Sequence, residues 1–170
     1  MSNDDVSVRD SQRSKVYAAE EFVRTLFDRA AEHGSGSVEF FGTTLTLPPE
    51  ARFASVPAVQ SYVDDVLCLP SVRQHWPEIP PLKVRARRAA SAAHYENRDG
   101  AGVIAVPDRD TADWAMRELV MLHEIAHHLC TAQPPHGPEF VATLRTLAEL
   151  VMGPEVGYVL RVVYAKEGVR

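Results

Sequence analysis

Between Leu119 and Leu129 the chain is apolar except at His123, Glu124, His127 and His128, and this run constrains the fold more than any other segment. A helix that is apolar on most sides must be wrapped by other elements. Polar side chains inside it then need partners, because burying them without any is costly. His123 and His127 are four residues apart and so lie about 40° apart on one helix face, where both imidazoles can reach a single ion. Glu124 is turned roughly 100° from His123, so it can lean toward that ion without ligating it. The pentapeptide His123-Glu124-Ile125-Ala126-His127 is an HExxH sequence, the spacing used to hold zinc with the glutamate as general base.

Two histidines do not make a tight site, and a catalytic zinc usually has three protein ligands. His136 is the first choice for the third. It follows Pro134 and Pro135 and precedes a helix starting at Pro138, so the chain can double back toward His123 and His127. Glu139 and Glu149 are the alternatives. Cys130, three residues beyond His127, is either a fourth ligand that would close the site or a buried thiol. The metzincin pattern is excluded, because Cys130 and Gln133 stand where it requires glycine and histidine. With zinc in place, a water on the metal has a pKa near 7, and Glu124 is placed to take its proton. Hydrolysis of an amide is the natural reaction.

The remaining elements follow from periodicity and punctuation. Residues 1–13 are polar and are expected to form a mobile tail, with a single domain over 14–170. Val16, Ala19, Val23, Leu26, Phe27 and Ala30 mark an amphipathic helix that Gly34 ends. Val38 to Leu47 reads as β-structure with a turn at Gly42. Ser55 caps a helix to about Leu67, blocked by Pro70, and 70–81 reads as loop. Leu82–Arg88, Ala93–Glu96 and Gly102–Val106 suggest an antiparallel meander, with a turn at Asn97-Arg98-Asp99-Gly100. The motif helix is expected to start at Asp110 or Thr111, with Asp113 in its first turn. Helices from Pro138 to Met152 and from Glu155 to Lys166 complete an α+β class.

Composition excludes several classes. Hydrophobic residues make up 45% and charged residues 24% of 170, enough apolar content to build a core. The net charge of −5 gives no overall field for anionic partners, so nucleic acid is disfavoured. The basic cluster Lys83, Arg85, Arg87 and Arg88 reads as a solvated strand face. No run of about 18 apolar residues occurs, which points to a cytoplasmic protein with no membrane partner. Two cysteines, Cys68 and Cys130, provide no framework of disulfides.

HEIAHHL followed by HGPEF resembles the SprT-like zinc metallopeptidases, which include the Spartan proteases that degrade proteins crosslinked to DNA. The resemblance implies one zinc on His123, His127 and His136, with Glu124 as the catalytic base and a peptide or protein as substrate. GVIAVP before the motif helix and LRTLAELVMGPEVGYVL after HGPEF are similar to small actinobacterial HExxH metallohydrolases. This likeness covers roughly the last 90 residues. It implies a zincin-like fold, with a small antiparallel or mixed sheet packed on the HExxH helix and additional N- and C-terminal helices. In such folds a strand borders the cleft and pairs with an extended substrate, and Gly102–Val106 is the strand expected there. DNA-linked proteolysis is not carried over, because the chain lacks a cysteine quartet and is acidic.

Other residues are left outside the site. His128 reads as a structural histidine, as do His33, His75 and His94. Tyr95, Tyr158 and Tyr164 are alternatives for an oxyanion-stabilising hydroxyl, with nothing in the sequence to choose among them. A repressor-cleaving type of regulatory peptidase with an acidic third ligand is the competing enzyme. A metal-stabilised binding protein without turnover is the competing non-enzyme.

Overall fold

The computed structural model describes residues 8–108 and 115–170. Helix α1 (Arg13–Glu32) buries Val16, Ala19, Val23, Leu26, Phe27 and Ala30, the stripe its periodicity requires. A hairpin follows, formed by β1 (Ser37–Phe40) and β2 (Thr43–Thr46) with Phe40 opposite Thr43. Its two turn residues, Phe41 and Gly42, both have positive φ, 46° and 82°, the primed turn that matches strand twist.

Helix α2 (Val56–Cys68) starts at Ser55, whose Oγ accepts the Ala58 N–H at 3.2 Å, a cap worth about 1 kcal/mol. The 70–81 stretch is not all loop, because Pro70 opens a short helix, α3 (Pro70–His75). A proline that ends one helix can begin another, since its missing N–H lies in the first turn. Val72 anchors α3 in the core.

Strands β3 (Leu82–Arg87), β4 (His94–Arg98) and β5 (Ala101–Pro107) form a mixed sheet in the order β3-β5-β4. This is not the expected meander, which would put β4 in the middle. β5 runs parallel to β3 and antiparallel to β4. The apolar strand takes the centre, with Ile104, Ala105 and Val106 fully buried. The strands carrying Lys83, Arg85, Arg87, Glu96 and Arg98 take the edges, where charge discourages further pairing. The β4–β5 turn falls where the sequence places it, with Asp99 and Gly100 at φ 52° and 84°.

The motif helix α4 spans Glu118–Leu129. Asp110, Thr111 and Asp113, expected at its start, lie outside the described residues, and the start itself is later than expected. Arg117 is extended (φ −126°, ψ 153°) and forms a β-bridge with Arg52. The Leu119 N–H in the first turn is accepted by Glu50 Oε1 at 3.1 Å, so the cap comes from a segment distant in sequence. The Arg117 guanidinium ties the same Glu50 to Asp28 of α1.

Helices α5 (Pro138–Met152) and α6 (Pro154–Lys166) meet at Gly153, whose φ of 114° suits glycine. α4 packs on α5 and on β4 and β5, while α6 packs on α5 and α1. Residues from all six helices join one hydrophobic cluster, with Met121, Leu122 and Ile125 of α4 at its fully buried centre. Each such side chain stabilises by about 1.5–3 kcal/mol. The architecture is α+β. Among the described residues, no helix is long and apolar enough to cross a membrane.

Candidate metal centre

The imidazoles of His123, His127 and His136 converge. One ligand atom from each lies within 4.8 Å of the others, and His123 Nε2 and His127 Nε2 are 3.1 Å apart. Tetrahedral coordination with bonds of 2.0–2.1 Å places donor atoms about 3.3 Å apart, so the helical pair already has the required spacing. His136 reaches them from the loop between α4 and α5. Phe140, in the first turns of α5, lies against all three rings, at centroid distances of 4.9, 4.3 and 5.1 Å. These three histidines could hold a metal ion.

Carboxylates behind the imidazoles set which nitrogen faces inward. His123 Nδ1 donates to Glu20 Oε2 at 2.8 Å, and His136 Nδ1 donates to Asp10 Oδ2 at 2.7 Å. Such partners fix the tautomer and the ring orientation of metal-ligating histidines. The Tyr164 hydroxyl donates to the other Glu20 oxygen at 2.9 Å, so Glu20 is oriented from two sides. Gln12 adds a further tie, because its side chain donates to the carbonyls of His136 and Arg170 at 2.8 Å each. Asp10 and Gln12 belong to the segment the sequence reads as a tail.

Two features of the cluster bear on its fit to a metal. His136 Nε2 is buried without a hydrogen-bond partner, which is unusual for a polar atom. Two bare imidazole nitrogens also cannot face each other at 3.1 Å, so a proton or a cation must lie between them. Burial pushes the His123 imidazole down, but the charge and hydrogen bond of Glu20 outweigh it and leave the pKa above the ordinary value. Burial, reinforced by His123 and His136, lowers His127 to about 2. Burial also lowers His136, against the opposing pull of Asp10.

Glu124 faces a cleft of about 480 Å3, whose lining includes Asp10, Arg13, Tyr17, His94, His127 and His136. Burial raises its pKa, against the opposing pull of His123 and His94 and of a hydrogen bond from the Tyr95 backbone. The cleft-side strand is thus β4, not Gly102–Val106, which is central in the sheet and paired on both sides. Tyr17 of α1 stacks on His123 at 5.5 Å. Burial raises the pKa of its hydroxyl, followed by the charge of Glu124.

The other sequence candidates fall elsewhere. Glu139 and Glu149 are exposed and outside the histidine cluster. Cys130 lines the cleft but is not one of the convergent ligands. Tyr164 is committed to Glu20, and exposed Tyr158 packs edge-on against Phe40. The Tyr95 hydroxyl donates to His128 Nδ1 at 3.1 Å, and His128 Nε2 donates to the Pro80 carbonyl at 2.8 Å, so His128 is structural as expected. Sequence reasoning missed Asp10, Glu20 and Tyr17. For Glu20 a signal exists, since it is a carboxylate set beside Ala19 and Val23 on the apolar stripe of α1.

No family model matches the chain, and neither does any curated protein or solved structure.

Proposed function

We propose that the chain is a zinc-dependent hydrolase of peptide bonds with a zincin-like arrangement. The observation that carries the reading is the cluster of three imidazoles, two of them backed by carboxylates, with the Glu124 carboxylate beside it at the wall of a cleft. Three histidine donors suit zinc, and leaving Cys130 out of the set keeps a coordination position for water or substrate, the pattern of catalytic rather than structural sites. When bound, zinc supplies Lewis acidity, lowering the pKa of water and polarising a carbonyl.

The chain's own residues do the rest. Glu124 is the general base, its carboxylate set beside the imidazoles at the cleft wall where it can take a proton from water and later return it. Tyr17 presents a protonated hydroxyl in the same cleft and is placed to donate to a developing oxyanion. β4 is an edge strand lining the cleft, so an extended peptide can lie along it, which favours peptides over compact substrates.

Elemental mass spectrometry of the purified protein, followed by cleavage of mixed peptide pools, tests the reading. The expected result is about one zinc per chain, with turnover lost and metal kept in Glu124→Gln. A protein that stays metal-free after reconstitution, or a Glu124→Gln variant as active as the parent, would overturn it.

A further inference from the structure

Arg13 lines the cleft that holds Glu124, His127 and His136. It makes no ion pair among the described residues. The nearest acid in sequence, Asp10, is turned onto His136 Nδ1, and no acidic residue occupies the first turn of α1. The guanidinium instead rests over the Tyr17 ring, 5.6 Å from its centroid, while that ring stacks on His123. A long, entropically mobile side chain is thereby held at the wall of the cleft with its donors uncommitted to any carboxylate.

The remaining charged side chains of the cleft offer Arg13 no partner. Glu124 is buried beside His123, and Glu20, outside the cleft lining, is occupied by His123 and Tyr164. His94, on β4 across the cleft, is not an acid. Arg13 is exposed at the cleft wall, and guanidinium geometry favours a planar carboxylate bound through two hydrogen bonds.

We propose that Arg13 is a specificity-determining residue that selects peptides carrying a carboxylate next to the bond at the metal centre. The proposal rests on the peptide-hydrolase reading and adds a substrate class to it. The carboxylate comes from an Asp or Glu side chain or from a free C-terminus, and the chemistry at Arg13 is the same.

The test uses the zinc-loaded Glu124→Gln chain, so that binding is read without turnover. Fluorescent pentapeptide pools are compared in pairs: Glu against Gln at one fixed position, and free carboxylate against C-terminal amide. The expected result is binding about fivefold tighter for the acidic member of one pair, with Arg13→Gln abolishing the preference and Arg13→Lys keeping part of it. The pair that responds identifies the source of the carboxylate. Equal binding within both pairs overturns the proposal, as does a preference that survives Arg13→Gln, which would belong to the metal. Parallel cleavage assays on the parent chain separate the two readings. Cleavage without acid preference removes only the role of Arg13, whereas a metal-loaded chain that cleaves no pool removes the peptidase reading.

Discussion

The Glu20 carboxylate on α1 accepts the Nδ1–H of His123 on α4 at 2.8 Å, linking the N-terminal helix to a ligand of the candidate metal centre. Removing such a partner typically lowers metal affinity about 10–100-fold. Glu20→Ala is therefore expected to lose zinc to a competing chelator at least tenfold more readily than the parent, and Tyr164→Phe to show a smaller loss in the same direction. Unchanged affinity in Glu20→Ala would remove Glu20 from the site.

The dependence of metal binding on pH follows from the three imidazoles. His127, lowered to about 2, and His136, also lowered, are neutral near pH 7. His123, whose pKa Glu20 raises above the ordinary value against the effect of burial, carries a proton in the metal-free chain at pH values below that raised pKa. In that state the pair with Glu20 contributes stability that is fully present below the unfolded histidine value of about 6.5 and is lost as pH rises through the folded value. Zinc must displace this proton, so calorimetry in buffers of different ionisation enthalpy should record close to one proton released per zinc below the folded value, falling toward zero above it. Release that does not vary with pH would contradict the assignment.

The Glu20 link also marks the boundary of what the sequence discloses. The spacing of His123 and His127 and the Pro-Pro turn before His136 are local, and together they bring the three imidazoles within reach of one ion. Asp10 and Glu20 act on the site only because α1 is packed on α6 and lies against the imidazoles, a tertiary relationship that no local pattern encodes. The late start of α4 has the same origin, since Glu50 caps the helix from 69 residues away. The placement of β5 was recoverable, because its apolar composition suits a central strand better than an edge, and turn signals alone do not fix strand order.

Gly102 of β5 leaves room for His128. A Cβ there would lie 2.4 Å from His128 Nδ1, and the ring cannot move freely because Tyr95 and the Pro80 carbonyl hold both nitrogens. Gly102→Ala should destabilise the fold by about 1–3 kcal/mol in urea titrations. Combining it with His128→Ala should cost less than the sum of the two single changes. Additive losses would show that the contact is not the cause.

Arg117 tests the same dependence on distant contacts at the other end of α4. Its side chain is 5% exposed and pairs with Glu50, which is equally buried, and with Asp28. Replacing it with methionine fills most of the volume but leaves the Glu50 carboxylate buried without its countercharge, a loss of about 3–5 kcal/mol. Glu50 also accepts the Leu119 N–H, so the damage should reach the start of the motif helix. Arg117→Met is expected to lower the urea midpoint and to speed amide exchange at Leu119, while Arg117→Met with Glu50→Gln should recover part of the stability because no buried charge is then unpaired. A single variant as stable as the parent would show that the pair contributes nothing to holding α4 in place.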